Sequence, residues 1–116
     1  MCQPGDLMLV PFPFADMEVV KRRPVLVLTA PDERGDFVGL AVTSVPTVCR
    51  ALELTAPAIL EGALPKASWL RLDKIFTLNR RRVEGHFARV TPAFRRHVVQ
   101  EMCVLLTTND PPLAHP

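Results

Sequence analysis

Over the first ninety positions the apolar residues come in short runs, cut by proline, glycine and small charged clusters. Residues 7–12 form one such run, introduced by Gly5-Asp6 and closed by Pro11 and Pro13, with a loop following at 15–20. Residues 24–29 are almost continuously apolar, which predicts a strand buried on both faces. A polar turn at 32–36 leads to a third strand at 37–44, ended by Pro46. Residues 51–55 alternate weakly, and 56–66, with two prolines and a glycine, is predicted as a loop. Residues 68–73 alternate cleanly. Ser68, Leu70 and Leu72 face one way, and Trp69, Arg71 and Asp73 the other. The strand can continue through 74–78, and a last short strand is predicted at 85–90.

The period then changes. Thr91-Pro92 has the form of a helix start, with Thr as N-cap and Pro in the first turn. Phe94, Val98, Met102 and Leu105 recur at steps of three and four, flanked by Val99 and Leu106. This predicts one amphipathic helix at 91–106, about four turns long. Residues 107–116 hold three prolines and no period, so a flexible tail is expected. The expected domain is therefore 1–106, mainly β with a terminal helix. Five to seven short strands and one helix predict a small half-open barrel or a strongly curved sheet.

Composition narrows the class. A chain of 116 residues, 48% apolar, is long enough for one domain with its own core. Its 12 prolines leave no room for a long helix in the first half. No run approaches the about 18 apolar residues of a membrane span. The N-terminus lacks the layout of a secretory signal, and three widely spaced cysteines suit a reducing cytosol. No cysteine or histidine lies at metal-ligand spacing, so neither metal nor cofactor is expected.

The net charge of +2 conceals a strong asymmetry, because residues 1–65 carry −3, 66–96 carry +7 and 97–116 carry −2. Eleven of the fourteen cations are arginine, whose planar, permanently charged fork suits phosphate. Trp69, Phe76 and Phe87 lie beside this basic segment and can stack on bases. The bland alternative is that these aromatics are core and the arginines merely solvated. A second basic cluster, Lys21-Arg22-Arg23-Pro24, runs straight into an apolar strand. Pro24 suits a strand's first residue and biases Arg23 toward extended backbone, which holds a guanidinium at the sheet's mouth.

Taken in order, Gly5-Asp6, Arg23-Pro24, Val42-Thr43-Ser44 and Ser68-Trp69-Leu70-Arg71-Leu72-Asp73-Lys74-Ile75-Phe76-Thr77-Leu78 resemble the MazF/PemK/Kid toxins, with matching gaps from about residue 5 to 106. The resemblance implies an SH3-like small barrel and a cytoplasmic homodimer. It also implies metal-independent endoribonuclease action on single-stranded RNA, especially mRNA, and inhibition by a cognate antitoxin. In one branch of the family the catalytic pair matches Arg23 and Thr43. In another it matches Arg71 and Asp73, aided by a first-loop histidine that is absent here, where Glu18 is the available proton acceptor. RNA contacts are then expected from Arg22, Ser44, Lys66, Trp69 and Lys74.

The chemistry suits these residues. In RNA the 2′-OH can attack the adjacent phosphate, which requires a proton acceptor, a proton donor and cations for the developing charge. Arg23 or Arg71 supplies charge rather than a proton. Thr43 can bond phosphoryl oxygens, and Asp73 or Glu18 can accept the 2′-OH proton. Taken singly, Thr43 and Ser44 are ordinary strand-end residues and Asp73 can simply pair with Arg71 or Lys74. His86 and His97 read as packing partners, and Cys49 and Cys103 as core. Two rivals stand beside this reading. One is a CcdB-like poison of a protein target such as gyrase, and the other a catalytically inactive nucleic-acid-binding relic.

Overall fold

The computed structural model describes residues 2–12 and 21–109. Among them the alternating runs become seven strands: β1 (Asp6–Phe12), β2 (Lys21–Val27), β3 (Asp36–Thr43), β4 (Ala51–Leu54), β5 (Ile59–Gly62), β6 (Ser68–Asn79) and β7 (Gly85–Val90). Helix α1 (Pro92–Thr108) follows, and single 3-10 turns occupy Ala56–Ala58 and Arg80–Arg82. The strands make one antiparallel sheet in the order β4-β6-β3-β2-β1-β7-β5. Its two edges, β4 and β5, are not joined, so the sheet curls into an open half-barrel.

Both faces of the sheet are buried, which explains the continuous apolar run at 24–29. On one face Leu7, Leu26, Leu40, Leu70 and Ala88 meet Val98 of α1. On the other, Met8, Val10, Val25, Val27 and Phe37 form a second core, capped by Val83 from the β6–β7 connection. Alternation within each strand divides its residues between the two. In β6, Ser68, Leu70 and Leu72 are buried while Trp69, Arg71 and Asp73 are partly exposed, as the pattern predicts.

Besides shifts of one or two residues at other strand ends, three differences from expectation shape the fold. The second strand begins at Lys21 rather than Pro24, so the basic cluster lies within it. Lys21, Arg22 and Arg23 stand opposite Phe12, Pro11 and Val10 of β1. The β2–β3 ladder covers only Val25–Val27, so Pro24 sits where β2 is paired on one side alone. The segment 56–66 is not all loop, because it contains β5, formed by pairing with β7 with Ile59 opposite Val90. Four residues carry no readable period of their own. Gly62 lets this edge approach closely: at its φ of +78° a Cβ would lie 2.2 Å from the Phe87 carbonyl oxygen. Finally, α1 extends two residues past 106, with the Thr107 and Thr108 hydroxyls donating to carbonyls of the preceding turn.

The helix start is as predicted, with Thr91 Oγ1 accepting the Phe94 N–H at 3.0 Å. Val98 is buried, and Phe94, Met102 and Leu105 pack against the larger core, while Val99 and Leu106 stay exposed. No described helix is long and apolar enough to cross a membrane. Cys49 and Cys103 are exposed rather than core, one in the β3–β4 connection and one on the outer side of α1. Burial, and then the nearby Asp6 carboxylate, push the Cys2 thiol up from its ordinary value.

Among the described residues Asp6 is the one fully buried charged side chain. Its Oδ2 accepts the Gln3 N–H at 2.8 Å, and its Oδ1 accepts from Arg89 Nε at 2.7 Å with His86 Nε2 at 3.3 Å. The hydrogen bond to Asp6 holds the Arg89 guanidinium above its ordinary pKa. This group ties the start of β1 to β7, the strand on which β5 is built.

Candidate functional site

Because β2 outruns its ladder with β3, Arg22, Arg23 and Pro24 form one wall of an open space. The β5–β6 connection forms the other. Between them lies a cleft of about 610 Å³. Leu9, Pro24, Val42 and Phe87 give it apolar surface, and Arg22, Arg23 and Lys66 give it positive charge. Ser44 and Ser68 add hydroxyls, and Ala63 and Pro65 close the side. Ser68 is buried and donates to the Lys66 carbonyl at 2.9 Å, which fixes the loop that presents Lys66. A second hollow of about 450 Å³ shares Ala63 and Lys66 and runs on along β5 past Ile59, Gly62 and Leu64.

The cleft thus gathers Arg22, Arg23, Ser44 and Lys66 from the predicted set. Arg22 donates from Nε to the Glu84 carboxylate, and this hydrogen bond raises its pKa above the ordinary value. Arg23 shares strand parity with Val10 and Val25, so it stands at the cleft's edge on the side of the second core. Thr43 ends β3 opposite Trp69, and its Oγ1 accepts the Val45 N–H at 3.1 Å. Thr43 does not line the cleft, and the pairing of β2 with β3 stops at Val25↔Ala41.

Arg71 and Asp73 do not line the cleft. They lie beside each other on the face of β6 that carries Trp69, with Arg71 Nε 3.4 Å from Asp73 Oδ1 and both about a quarter exposed. Lys74 is exposed beyond them, where the β3–β6 register shifts. Glu18 lies outside the described residues. Of the three aromatics, Phe87 lines the cleft, Trp69 is half-buried opposite Thr43, and Phe76 stands farther along β6 opposite Gly39. Sequence reasoning missed Ser68 and Glu84 as site residues. Ser68 carries no signal beyond its place at a strand start. Glu84 meets Arg22 across 62 positions, a separation that no local pattern reports. Among the described residues no three of His, Cys, Asp and Glu are grouped to hold a metal ion.

The fold is that of solved toxin structures. MazE-MazF from Deinococcus radiodurans superposes with a TM-score of 0.72 at 24% identity, covering 92% of this chain and 96% of that one. MazF alone from the same organism gives 0.66 at 25% identity, over 90% and 96%. An endoribonuclease from Mycobacterial species, in complex with its cognate antitoxin, gives 0.62 at 17% identity, over 94% and 98%. Among curated proteins none matches this sequence. The family model of PemK-like, MazF-like toxins matches residues 3–106, nearly the whole described domain. The chain therefore belongs to the PemK-like, MazF-like toxins of type II toxin-antitoxin systems.

Proposed function

We propose that this toxin is a metal-independent endoribonuclease that cuts single-stranded RNA, mRNA above all, by directing a 2′-OH onto the adjacent phosphate. The products are a 2′,3′-cyclic phosphate and a 5′-OH end. The observation that carries the reading is the cleft itself, in which three cations and two hydroxyls border an apolar floor. Cations and hydroxyls suit a phosphodiester, and the floor with Phe87 suits an unstacked base. DNA lacks the nucleophile, so the same cleft discriminates chemically between the two.

In this reading Arg23 stabilises the charge that develops on the phosphoryl oxygens, and Thr43 adds a hydrogen bond to them. Arg22, Ser44 and Lys66 hold flanking phosphates. Of these four residues only Arg23 lines the cleft, and its placement favours the Arg23–Thr43 pair over Arg71–Asp73, which pair with each other. The proton leaving the 2′-OH goes to a carboxylate, for which Glu18 is the candidate because Asp73 lies with Arg71 outside the cleft, and the departing 5′-oxygen takes a proton from water. Trp69 and Lys74 extend the contact surface along β6.

The active form is proposed to be a cytoplasmic homodimer inhibited by its own antitoxin. Unjoined edges at β4 and β5, with exposed Val45, Val48 and Leu60 near them, favour covering by a partner. Solved relatives occur as a MazE-MazF complex and as an endoribonuclease with its cognate antitoxin. An acidic antitoxin tail bound along the cleft competes with RNA for the same cations.

The test is incubation of pure protein with matched single-stranded RNA and DNA in EDTA, followed by mapping of the ends. RNA cut to 5′-OH fragments, with DNA intact, is the expected result. Loss of cutting in EDTA or equal cutting of DNA overturns the mechanism. No cutting of either, with growth arrest retained, points instead to a CcdB-like poison of a protein target. A protein inert in both assays is a binding relic. The Arg22–Glu84 contact yields a separate prediction. Glu84→Ala removes both the charge and the acceptor that hold Arg22 and frees it for phosphate, so affinity for single-stranded RNA rises and its salt dependence steepens. Fluorescence anisotropy across a salt series reads both, and an affinity equal to or below wild type removes Arg22 from the site.

A further inference from the structure

A second run of three consecutive cations, besides Lys21-Arg22-Arg23, lies outside the cleft in the β6–β7 connection. Arg80, Arg81 and Arg82 occupy one 3-10 turn, and all three are exposed. Neither they nor Arg34 takes part in any of the ion pairs formed among the described residues. Adjacent like charges repel, which opposes the compact state unless something offsets them. The nearby acids are already occupied. Asp32 Oδ1 accepts the N–H groups of Arg34 and Asp36 at 2.9 Å each. Asp36 Oδ1 accepts from Asn79 Nδ2 at 2.9 Å, and Glu84 holds Arg22. Glu33 remains, exposed in the same turn as Arg34.

The backbone beneath these arginines is well fixed. Asn79 donates to the Arg34 carbonyl at 3.0 Å and accepts the Arg81 N–H at 3.0 Å. The Arg80 N–H donates to the Gly35 carbonyl at 2.8 Å, and Val83 packs into the second core. At the far end of the segment, the Glu84 N–H donates to the Leu9 carbonyl at 2.8 Å. Leu9 and Arg22 both line the cleft. The three arginines are therefore strung between the turn that carries Arg34 and the rim of the cleft. No large apolar side chain is exposed between residues 79 and 84. Charge without apolar anchors fits a phosphate backbone better than a protein segment, and guanidinium forks suit phosphate oxygens.

We propose that Arg80, Arg81, Arg82 and Arg34 form an accessory track for the phosphates of RNA that extends beyond the cleft. This rests on the reading of the cleft as the RNA site and adds a length requirement to it. RNA long enough to leave the cleft past Arg22 gains contacts that a short oligonucleotide cannot make. The track positions substrate and takes no part in the chemistry.

Binding of non-cleavable 2′-O-methyl oligonucleotides, about 6 and about 20 nucleotides long, tests this apart from cleavage. Wild type should bind the longer one more tightly and with a steeper salt dependence. Replacing Arg80, Arg81 and Arg82 together by alanine should drop the longer oligonucleotide most of the way to the affinity of the shorter, with Arg34 left in place. Its log–log salt slope should flatten by about 2, three single-strand phosphate contacts at about 0.7 each. The triple lysine variant should keep most of the slope. Should the triple alanine variant fail to fold by circular dichroism, Arg81→Glu alone should still weaken the longer oligonucleotide selectively. Equal binding of both lengths by wild type overturns the track. So does a variant that weakens both equally or neither, or one that weakens only an acidic peptide. Cleavage of short RNA by wild type, run in parallel, reports separately on the cleft.

Discussion

Arg23→Ala is expected to slow RNA cleavage by about 10²–10³, the cost of removing one preorganised donor to a developing oxyanion. Arg23 is half-exposed at the edge of the cleft, so this loss should come with an unchanged circular dichroism spectrum. Arg23→Lys should recover only part of the rate, because a point charge replaces a bidentate fork. Thr43→Ala should fall in the same range, and Thr43→Ser should retain more, since the hydroxyl is what acts. Arg71→Ala, outside the cleft, should cost less than either. Single-turnover cleavage of a defined oligonucleotide measures all five. Full activity in Arg23→Ala, or an Arg71→Ala variant more damaged than Arg23→Ala, would reassign the chemistry to β6.

Asp6→Ala is expected to lower the unfolding free energy by about 3 kcal/mol, the low end for breaking a buried ion pair. Asp6 is fully buried and satisfies the Gln3 N–H, Arg89 and His86 together. The low end applies because Arg89 and His86 reach solvent and can be rehydrated once the carboxylate is gone. Against a total stability of about 5–15 kcal/mol this is a large share. Asp6→Asn keeps an acceptor for the Gln3 N–H and should lose less. Urea unfolding reads the difference as a shift in midpoint at constant slope. A midpoint for Asp6→Ala equal to wild type would mean that Asp6 plays no part in holding β1 to β7.

The two predictions bear on different levels of the molecule, and the sequence speaks to them unequally. Arg23 and Thr43 could be picked out because each sits in a short motif with a local physical meaning. One is a cation locked beside a proline, and the other a hydroxyl at a strand's end. Asp6 also belongs to a motif, Gly5-Asp6, but its partner Arg89 lies 83 positions away. Nothing near either residue reports the pairing.

Local geometry accounts for what was legible. Short apolar runs bounded by proline, glycine and polar turns, with alternation clearest at 68–73, placed six of the seven strands. The helix start followed from Thr91 and Pro92, and its packed side from the three-and-four spacing of Phe94, Val98, Met102 and Leu105. These depend on residues within a few positions of one another, so a single chain displays them. β5 does not: Ile59 to Gly62 is a strand because β7 offers it an edge, and the close approach at Gly62 exists only in the assembled sheet. The start of β2 at Lys21 likewise depends on β1 lying alongside it. The cleft depends on more still. It takes a ladder that stops at Val25, a loop pinned by Ser68 and a sheet that curls, and together these bring Lys66 to face Arg22 and Arg23. Residue chemistry is written locally and can be read from the chain. Curvature, register and the facing of distant side chains come from summed contacts across the sheet, so only the tertiary structure decided which cations share a site.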